Sequence, residues 1–150
     1  MTTPTGVAVH QHRLKVITFT LAGVDFSCQI SSWVMNNNTV DGTKTFTYCS
    51  GGTGAATISE FRTETDDDYS LTMKWFSDWR AGGISDYLWN NSRAVAAFVL
   101  DHHPDLVGEH VRWSGNCVLK APNVGGDVRT TEETSQTLLI LGVPVFSRIG

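Results

Sequence analysis

The clearest structural signal in the chain is the stretch YSLTMKW at residues 69–75. Its apolar residues, Tyr69, Leu71, Met73 and Trp75, alternate with polar ones. This alternation predicts a half-buried β-strand, because successive side chains of a strand point to opposite faces of the sheet. Similar patterns predict strands at residues 14–21, 25–35, 43–49, 94–100, 111–119 and 134–141. We therefore expect a mainly β protein, and the length of 150 residues favours a single domain spanning residues 1–150.

Three local patterns refine this expectation. Residues 14–21 and 25–35 flank a turn at Ala22 and Gly23 and predict a hairpin, with Phe26, Cys28 and Val34 on one face of its second strand. Residues 94–100 are apolar at both parities, which is typical of a strand covered on both faces. Residues 84–92 have apolar residues at helical spacing and predict one short helix.

Two segments fit no core element. Residues 1–13 form a polar N-terminal arm, and residues 36–68 predict a hairpin with a long loop. That loop begins with glycines, ends in Asp66, Asp67 and Asp68, and has only Ile58 and Phe61 as large apolar residues. Long loops are uncommon in compact domains unless they are functional, so both a contact role and a solvated excursion stay open.

Composition excludes several function classes. There are 11 Lys and Arg residues against 15 Asp and Glu residues, and the net charge of −4 provides no basic surface for gripping nucleic acid. The longest apolar run, residues 94–100, is far shorter than the roughly 20 residues of a membrane-spanning helix, so we expect no membrane insertion. The three cysteines form no CxxC motif, and the N-terminus has no signal-peptide core, which together favour the cytoplasm.

One cluster contains residue types that bind metals. His102, His103, Asp105 and His110 offer imidazole and carboxylate groups that would suit zinc or iron. Their spacing matches no usual ligand pair, and Pro104 places them in a turn between strands. A solvated polar turn explains these residues as well as a metal site does, and we predict no metal there.

Other candidate chemistry is weak. Cys28 and Cys117 lie at apolar positions of predicted strands, and Cys49 has no base in its neighbourhood of the sequence. The glycines of residues 51–54 are not followed by the lysine of a phosphate-binding loop. We expect no enzyme, no catalytic residue and no cofactor. The tryptophans could line a sugar-binding face, although such residues are more often core or interface anchors: Trp33, Trp75, Trp79, Trp89 and Trp113.

Longer segments carry a family resemblance. They read FTLAGVDFSCQISSW (residues 19–33), DGTKTFTYCSGG (41–52), YSLTMKWFSDWRAGGISDYLWNNS (69–92), AFVLDHHPD (97–105) and VRWSGNCVLKAPNVGGDVRT (111–130). The most specific parts are Asp78-Trp79, Gly83-Ile84-Ser85 and Leu88-Trp89, and the stretch from Trp113 to Gly126. Over nearly its whole length the chain resembles the major tail (tail tube) protein of long-tailed, siphovirus-type phages, especially those of actinobacteria.

The resemblance implies a tail-tube-type β-sandwich or half-barrel with one flanking helix. It implies a structural virion protein, made in the host cytoplasm, that self-assembles into hexameric rings stacked as a hollow tube through which DNA passes. It further implies tape-measure, tail terminator and distal tail proteins as partners. The arm and the long loop would make ring–ring contacts, and the candidate residues are Thr3, Val7, Gly51, Gly52, Ile58, Phe61, Asp66, Asp67 and Asp68.

Elementary physics agrees with such an assembly. Pairing one sheet edge with a neighbour's opposite edge removes exposed edges, and an acidic or neutral lumen lets DNA slide. The alternatives are a ring subunit of a phage-like injection or type VI secretion system, a carbohydrate-binding β-sandwich, and a small metal-dependent β-barrel enzyme that uses His102, His103 and His110.

Overall fold

The structure is a computed structural model that describes Gly6, residues 13–47 and residues 59–149. Its centre is a seven-stranded antiparallel sheet in the order β2-β1-β7-β8-β9-β6-β3, curled into a half-barrel. A separate two-stranded ribbon consists of β4 and β5. The elements are β1 (Ile17–Leu21), β2 (Val24–Asp25), β3 (Ile30–Asn37), β4 (Lys44–Thr47), β5 (Ser59–Arg62), β6 (Tyr69–Phe76), α1 (Ile84–Asn90), β7 (Val95–His102), β8 (Val111–Val118) and β9 (Glu133–Arg148). The predicted mainly β half-barrel with a short flanking helix is confirmed.

The hydrophobic core fills the inside of the curl. Alternate residues of β1, β6, β7, β8 and β9 point inward and are buried, as the period-two patterns predict. α1 adds Ile84 and Leu88 to the same core. The largest fully buried side chains are Trp75, Phe19, Phe26, Phe98, Leu21, Leu71, Met73, Ile84, Leu88, Leu100, Leu119 and Leu138.

The ribbon continues the β3/β6 pair beyond the sheet. The backbone N–H of Asn38 donates to the Asp68 carbonyl at 2.7 Å, and Val40 and Asp66 form an antiparallel bridge. β4 then pairs with β5 from Lys44↔Arg62 to Thr47↔Ser59. The chain from β3 to β4 and from β5 to β6 is therefore one long two-stranded arm, and residues 48–58 between β4 and β5 lie outside the described residues.

The start of α1 explains one of the sequence motifs. Gly83 precedes the helix, and a Cβ atom there would lie 2.5 Å from the Asp78 carbonyl oxygen. The Gln29 side chain accepts the Ile84 backbone N–H at 2.8 Å and replaces a side-chain cap. The Ser85 hydroxyl accepts the Trp75 indole N–H at 3.0 Å inside the core. The DW…GIS spacing thus encodes a tight helix entry that also satisfies a buried indole.

A bulge bends β9. The pairing with β8 shifts between Ser114↔Val145 and Asn116↔Leu141, so residues 142–144 lie opposite Gly115. Gly142 has a φ of +74°, a left-handed conformation that favours glycine. A Cβ atom on Gly115 would lie 3.3 Å from the Phe98 ring, so the missing side chain there makes room for a core aromatic residue.

Three sequence predictions are wrong in whole or in part. The predicted hairpin across Ala22 and Gly23 is confirmed only for the two-residue β2, whose Asp25 pairs with Thr20, whereas β3 crosses to pair with β6. Cys28 is exposed and Val34 points outward, because a 3-10 turn at Ser27–Gln29 and a bulge before Ser32 shift the parity. The predicted cover on both faces of residues 94–100 is wrong at the start of β7, where Val95 is 58% exposed, although Asp101 further along the same face is buried.

Candidate assembly surfaces

One edge of the sheet is a long strand with a single described partner. β3 pairs with β6 on one side, and no described strand lies on its other side. Its eight residues include no charged residue and no proline. Natural edge strands normally carry lysines, prolines or covering segments, because an open edge is a template for pairing with another chain. Among the described residues, the β3 edge has a bulge at Ile30 and Ser32 and a cavity that residues 30–33 share with residues 14–17, but no paired strand covers it.

A second open edge lies in the last half of β9. β6 pairs with β9 only up to Ile140, whereas β8 pairs with β9 up to Arg148. Residues 141–148 therefore have a described partner strand on one side alone. This segment contains no acidic residue, and Leu141, Val143, Val145 and Phe146 are all more than half exposed.

The β1 edge is blocked by the chain itself. The Phe19 N–H donates to the Ser27 hydroxyl at 2.8 Å, and the Phe26 N–H donates to the Phe19 carbonyl at 2.9 Å. β2 covers Thr20 and Leu21. Among the described strands, the half-barrel therefore has two extended open edges, β3 and residues 141–148 of β9. The other outermost strand, β2, has only two residues and is not one of them.

The outward face of the sheet is close to neutral. By register it presents small and uncharged residues such as Thr72, Thr137 and Asn116, together with two cations. Lys74 forms an ion pair with Glu133 at 3.0 Å. Arg112 makes two hydrogen bonds to Asp101, at 2.6 Å and 3.0 Å. Both strand cations on this face are thus neutralised by carboxylates.

Asp101 is the buried member of the second pair. The hydrogen bonds from Arg112 hold the pKa of Asp101 below its usual value, although burial opposes this shift. His110 Nε2 lies 3.1 Å from Asp101 Oδ2, which fits an ion pair in distance but falls outside hydrogen-bond geometry.

The predicted contact residues divide into two groups. Thr3, Val7, Gly51, Gly52 and Ile58 lie outside the described residues, as does most of the N-terminal arm. Phe61, Asp66, Asp67 and Asp68 lie on the ribbon, and all four are exposed. Phe61 pairs with Thr45 across the ribbon, and Asp66 bridges Val40 through the backbone. The structure thus brings these four residues together on one projecting arm.

The histidines of the candidate metal cluster are not arranged around one point. His102 and His103 stack with ring centroids 4.0 Å apart, His110 contacts Asp101, and Asp105 is exposed. Among residues 13–47 and 59–149, no group of three or more His, Cys, Asp or Glu could hold a metal ion. Burial, with the neighbouring His103, lowers the pKa of His102 below its ordinary value.

His102 also contributes to an aromatic cluster. The Trp33 ring meets His102 edge-on at 5.2 Å and lies 6.4 Å from Trp113. An open cavity of about 810 Å³ begins at this cluster, and its lining includes Met35 and Arg148. Because Trp33 comes from β3 and His102 ends β7, this contact joins the two sides of the curl where the sheet does not close.

Two further predicted features have clear positions. Cys117 is buried, and burial raises the pKa of its thiol to about 11, so it behaves as a core residue. Cys28 is exposed, contrary to its predicted position. Of the tryptophans, Trp75 is in the core, Trp33 and Trp113 are partly buried, and Trp79 and Trp89 form an exposed pair.

No helix in the described ranges is long and apolar enough to cross a membrane.

Sequence reasoning missed the open half of β9. Gly142 and Pro144 indicate a strand end near residue 141, whereas the bulge lets β9 continue to Arg148. The signal that could have found this edge is the resumed apolar run after Pro144, residues 145–146.

Comparisons with known proteins show similarity in the fold alone. No protein-family model matches the chain, and no curated protein matches it either. A solved structure does match: a chain from the cryo-electron microscopy structure of an extracellular contractile injection system, the PVC sheath/tube terminator in its extended state. The TM-score is 0.53 at 9% sequence identity, and the match covers 95% of this chain and all of the other.

Proposed function

We propose that this protein is a structural subunit of a phage tail or a phage-like injection particle. It self-assembles side by side into hexameric rings, and the rings stack into a hollow tube through which DNA passes. The observation that carries the proposal is the pair of open, carboxylate-free edges on a curled sheet, β3 and residues 141–148 of β9. The fold similarity to a tube-terminator chain supports the same class of role.

Ring formation follows from the edges. β3 of one subunit pairs with the open half of β9 in its neighbour, which is a heterologous contact because the two edges differ. Repeating that contact closes a ring and leaves no edge unpaired. The apolar residues on the β9 edge, such as Val145 and Phe146, then become covered by the adjoining subunit.

The lumen wall is the outward face of the sheet. Its cations are already paired, Lys74 with Glu133 and Arg112 with Asp101, so they offer no free charge to phosphate. A neutral wall releases no counterions from DNA, and the nucleic acid passes without binding. The ribbon residues Phe61, Asp66, Asp67 and Asp68, with the arm residues Thr3 and Val7, make ring–ring contacts. Tape-measure, terminator and distal tail proteins are its further partners in the particle.

A terminator-type subunit is the second candidate. The specific observation in its favour is that the matched chain comes from a sheath/tube terminator and is covered over its whole length. Such a subunit would also pair its edges into a ring, but the ring would end a tube rather than repeat along it. A tube subunit of a contractile injection or secretion system would share the repeating rings of the first candidate and the type of particle of the second.

Negative-stain electron microscopy of the purified chain across a concentration series tests the proposal. We expect rings with a central channel that stack into tubes as the concentration rises. Rings that never stack would favour the terminator-type subunit. A monodisperse monomer at every concentration and salt condition would contradict both.

A further inference from the structure

An exposed tryptophan pair marks one end of the sheet. Trp79 follows β6, Trp89 lies in the last turn of α1, and their rings meet edge-to-face with centroids 6.4 Å apart. They are 39% and 56% exposed. The Trp79 indole N–H donates to Glu132 at 3.4 Å. Exposed tryptophans dominate the binding energy of many protein interfaces, since they bury a large rigid surface at small entropic cost.

Exposed cations lie on the segments that connect α1 to β7 and β8 to β9. The Arg93 N–H donates to the Leu119 carbonyl, which brings Arg93 next to Lys120. The loop that leads into β9 adds Arg129. None of these three side chains forms a hydrogen bond or ion pair with another described residue, and all three are exposed. Two carboxylates on the segments that hold the tryptophan pair are already engaged, since Asp86 accepts the Asn90 side chain and Glu132 accepts Trp79.

The ribbon has the opposite character. Residues 36–68 contain six of the 15 acidic residues and only two of the 11 basic residues, so they account for the whole net charge of −4. β4 and β5 form a sheet of their own, with Phe46 and Phe61 more than half exposed. A two-stranded ribbon is marginally stable alone in water, so contact with a partner would stabilise it.

The ribbon and the tryptophan pair lie beyond opposite ends of β6. The ribbon ends just before Tyr69, and Trp79 follows soon after Phe76, so the eight residues of β6 separate them. Eight extended residues span roughly 26 Å. Contact between the ribbons of two copies would bring two acidic segments together, which is unfavourable. The remaining arrangement places the ribbon of one copy on the tryptophan end of the next, a head-to-tail contact that can repeat.

We propose that the surface of Trp79, Trp89, Arg93 and Lys120 receives the acidic ribbon of a second copy of this chain. The inference deepens the proposed function and rests on it, because it assigns the receiving side of the ring–ring contact. Phe46 or Phe61 covers the indole rings, and the cations face Glu64 and the three adjacent aspartates.

The first experiment truncates the aromatic pair. Assembly of the full chain is measured by sedimentation velocity over a concentration series for the wild type, Trp89→Ala and the control Val107→Ala, which truncates a fully exposed apolar residue far from the pair. We expect Trp89→Ala to raise the concentration needed for stacking at least about tenfold, as for a hot-spot tryptophan. The control should assemble like the wild type, and thermal unfolding confirms that each variant folds.

The second experiment reverses charges on both sides. Glu64→Lys with Asp67→Lys, and separately Arg93→Glu with Lys120→Glu, should each weaken stacking. The fourfold variant combines both changes and should recover much of the wild-type stacking, because opposite charges again face each other. Recovery of stacking in the fourfold variant would show that these two surfaces contact each other. This result does not depend on whether Trp89→Ala folds.

The outcomes separate this inference from the proposed function. If the wild type forms rings and tubes but Trp89→Ala stacks equally well, or if the fourfold variant stacks no better than its parents, the inference is wrong and the tube proposal stands. A glycan that quenches the exposed tryptophans, with stacking unaffected by their loss, would assign the surface to sugar binding instead. A wild type that never assembles would overturn both.

Discussion

Replacing Gly83 with alanine tests how the helix entry holds the core together. Gly83 has an ordinary extended backbone, with φ of −73° and ψ of 160°, so alanine adds no backbone strain. The added Cβ would lie 2.5 Å from the Asp78 carbonyl oxygen and 2.6 Å from its Cγ, where ordinary contacts begin at 3.4 Å. The clash involves backbone, so α1 must shift and loosen the packing of Ile84 and Leu88.

Overpacking of this kind costs about 1–3 kcal/mol in the free energy of unfolding. For a chain of this size each kcal/mol lowers the melting temperature by about 2–4 °C. Urea unfolding followed by tryptophan fluorescence measures the cost. The matched control is Gly126→Ala, whose Cβ would meet nothing closer than the Thr130 hydroxyl at 3.8 Å. Equal stability of the two variants would refute the reasoning.

Two further predictions concern titratable groups. Because burial and the nearby His103 lower the pKa of His102 below 6.5, the unfolded chain takes up this proton first, and the free energy of unfolding should fall as the pH drops below 6.5. His102→Gln should flatten that part of the stability curve, and an unchanged slope would argue against the assignment. In a Cys49→Ser background, a thiol reagent should modify Cys28 in the native state and Cys117 only after unfolding. Fast labelling of Cys117 in the folded protein would contradict its burial.

Strong periodic patterns in the sequence predicted the strands and the helix that pack against the core. β6 and α1 were predictable because one face of each is fully buried, so apolar residues recur at the structural period. Cys28 and Val34 were misplaced because a 3-10 turn and a bulge change parity without leaving a clear mark in the sequence. The outer face of β7 is apolar at Val95 and Val99 although it is open in the single chain. Apolar residues of this kind indicate contacts with another molecule, and the sequence alone does not distinguish them from residues buried in the core.

The surfaces depend on tertiary structure and were harder to predict. Trp79 and Trp89 are ten residues apart, and only the path of the chain from β6 through α1 places their rings together. The open half of β9 arises because β6 ends its pairing at Ile140. By contrast, the motif around Gly83 was recognisable as a pattern, and its physical reason emerges only from the close approach of Asp78.

Amide hydrogen exchange at the β3 edge tests side-by-side assembly most directly. In an antiparallel strand, alternate N–H groups point to opposite sides, so about half of the amides in Ile30–Asn37 should exchange rapidly in the monomer. We expect these amides to become protected in assembled rings, together with those of residues 141–148. Rings whose β3 amides exchange as fast as in the monomer would contradict edge pairing.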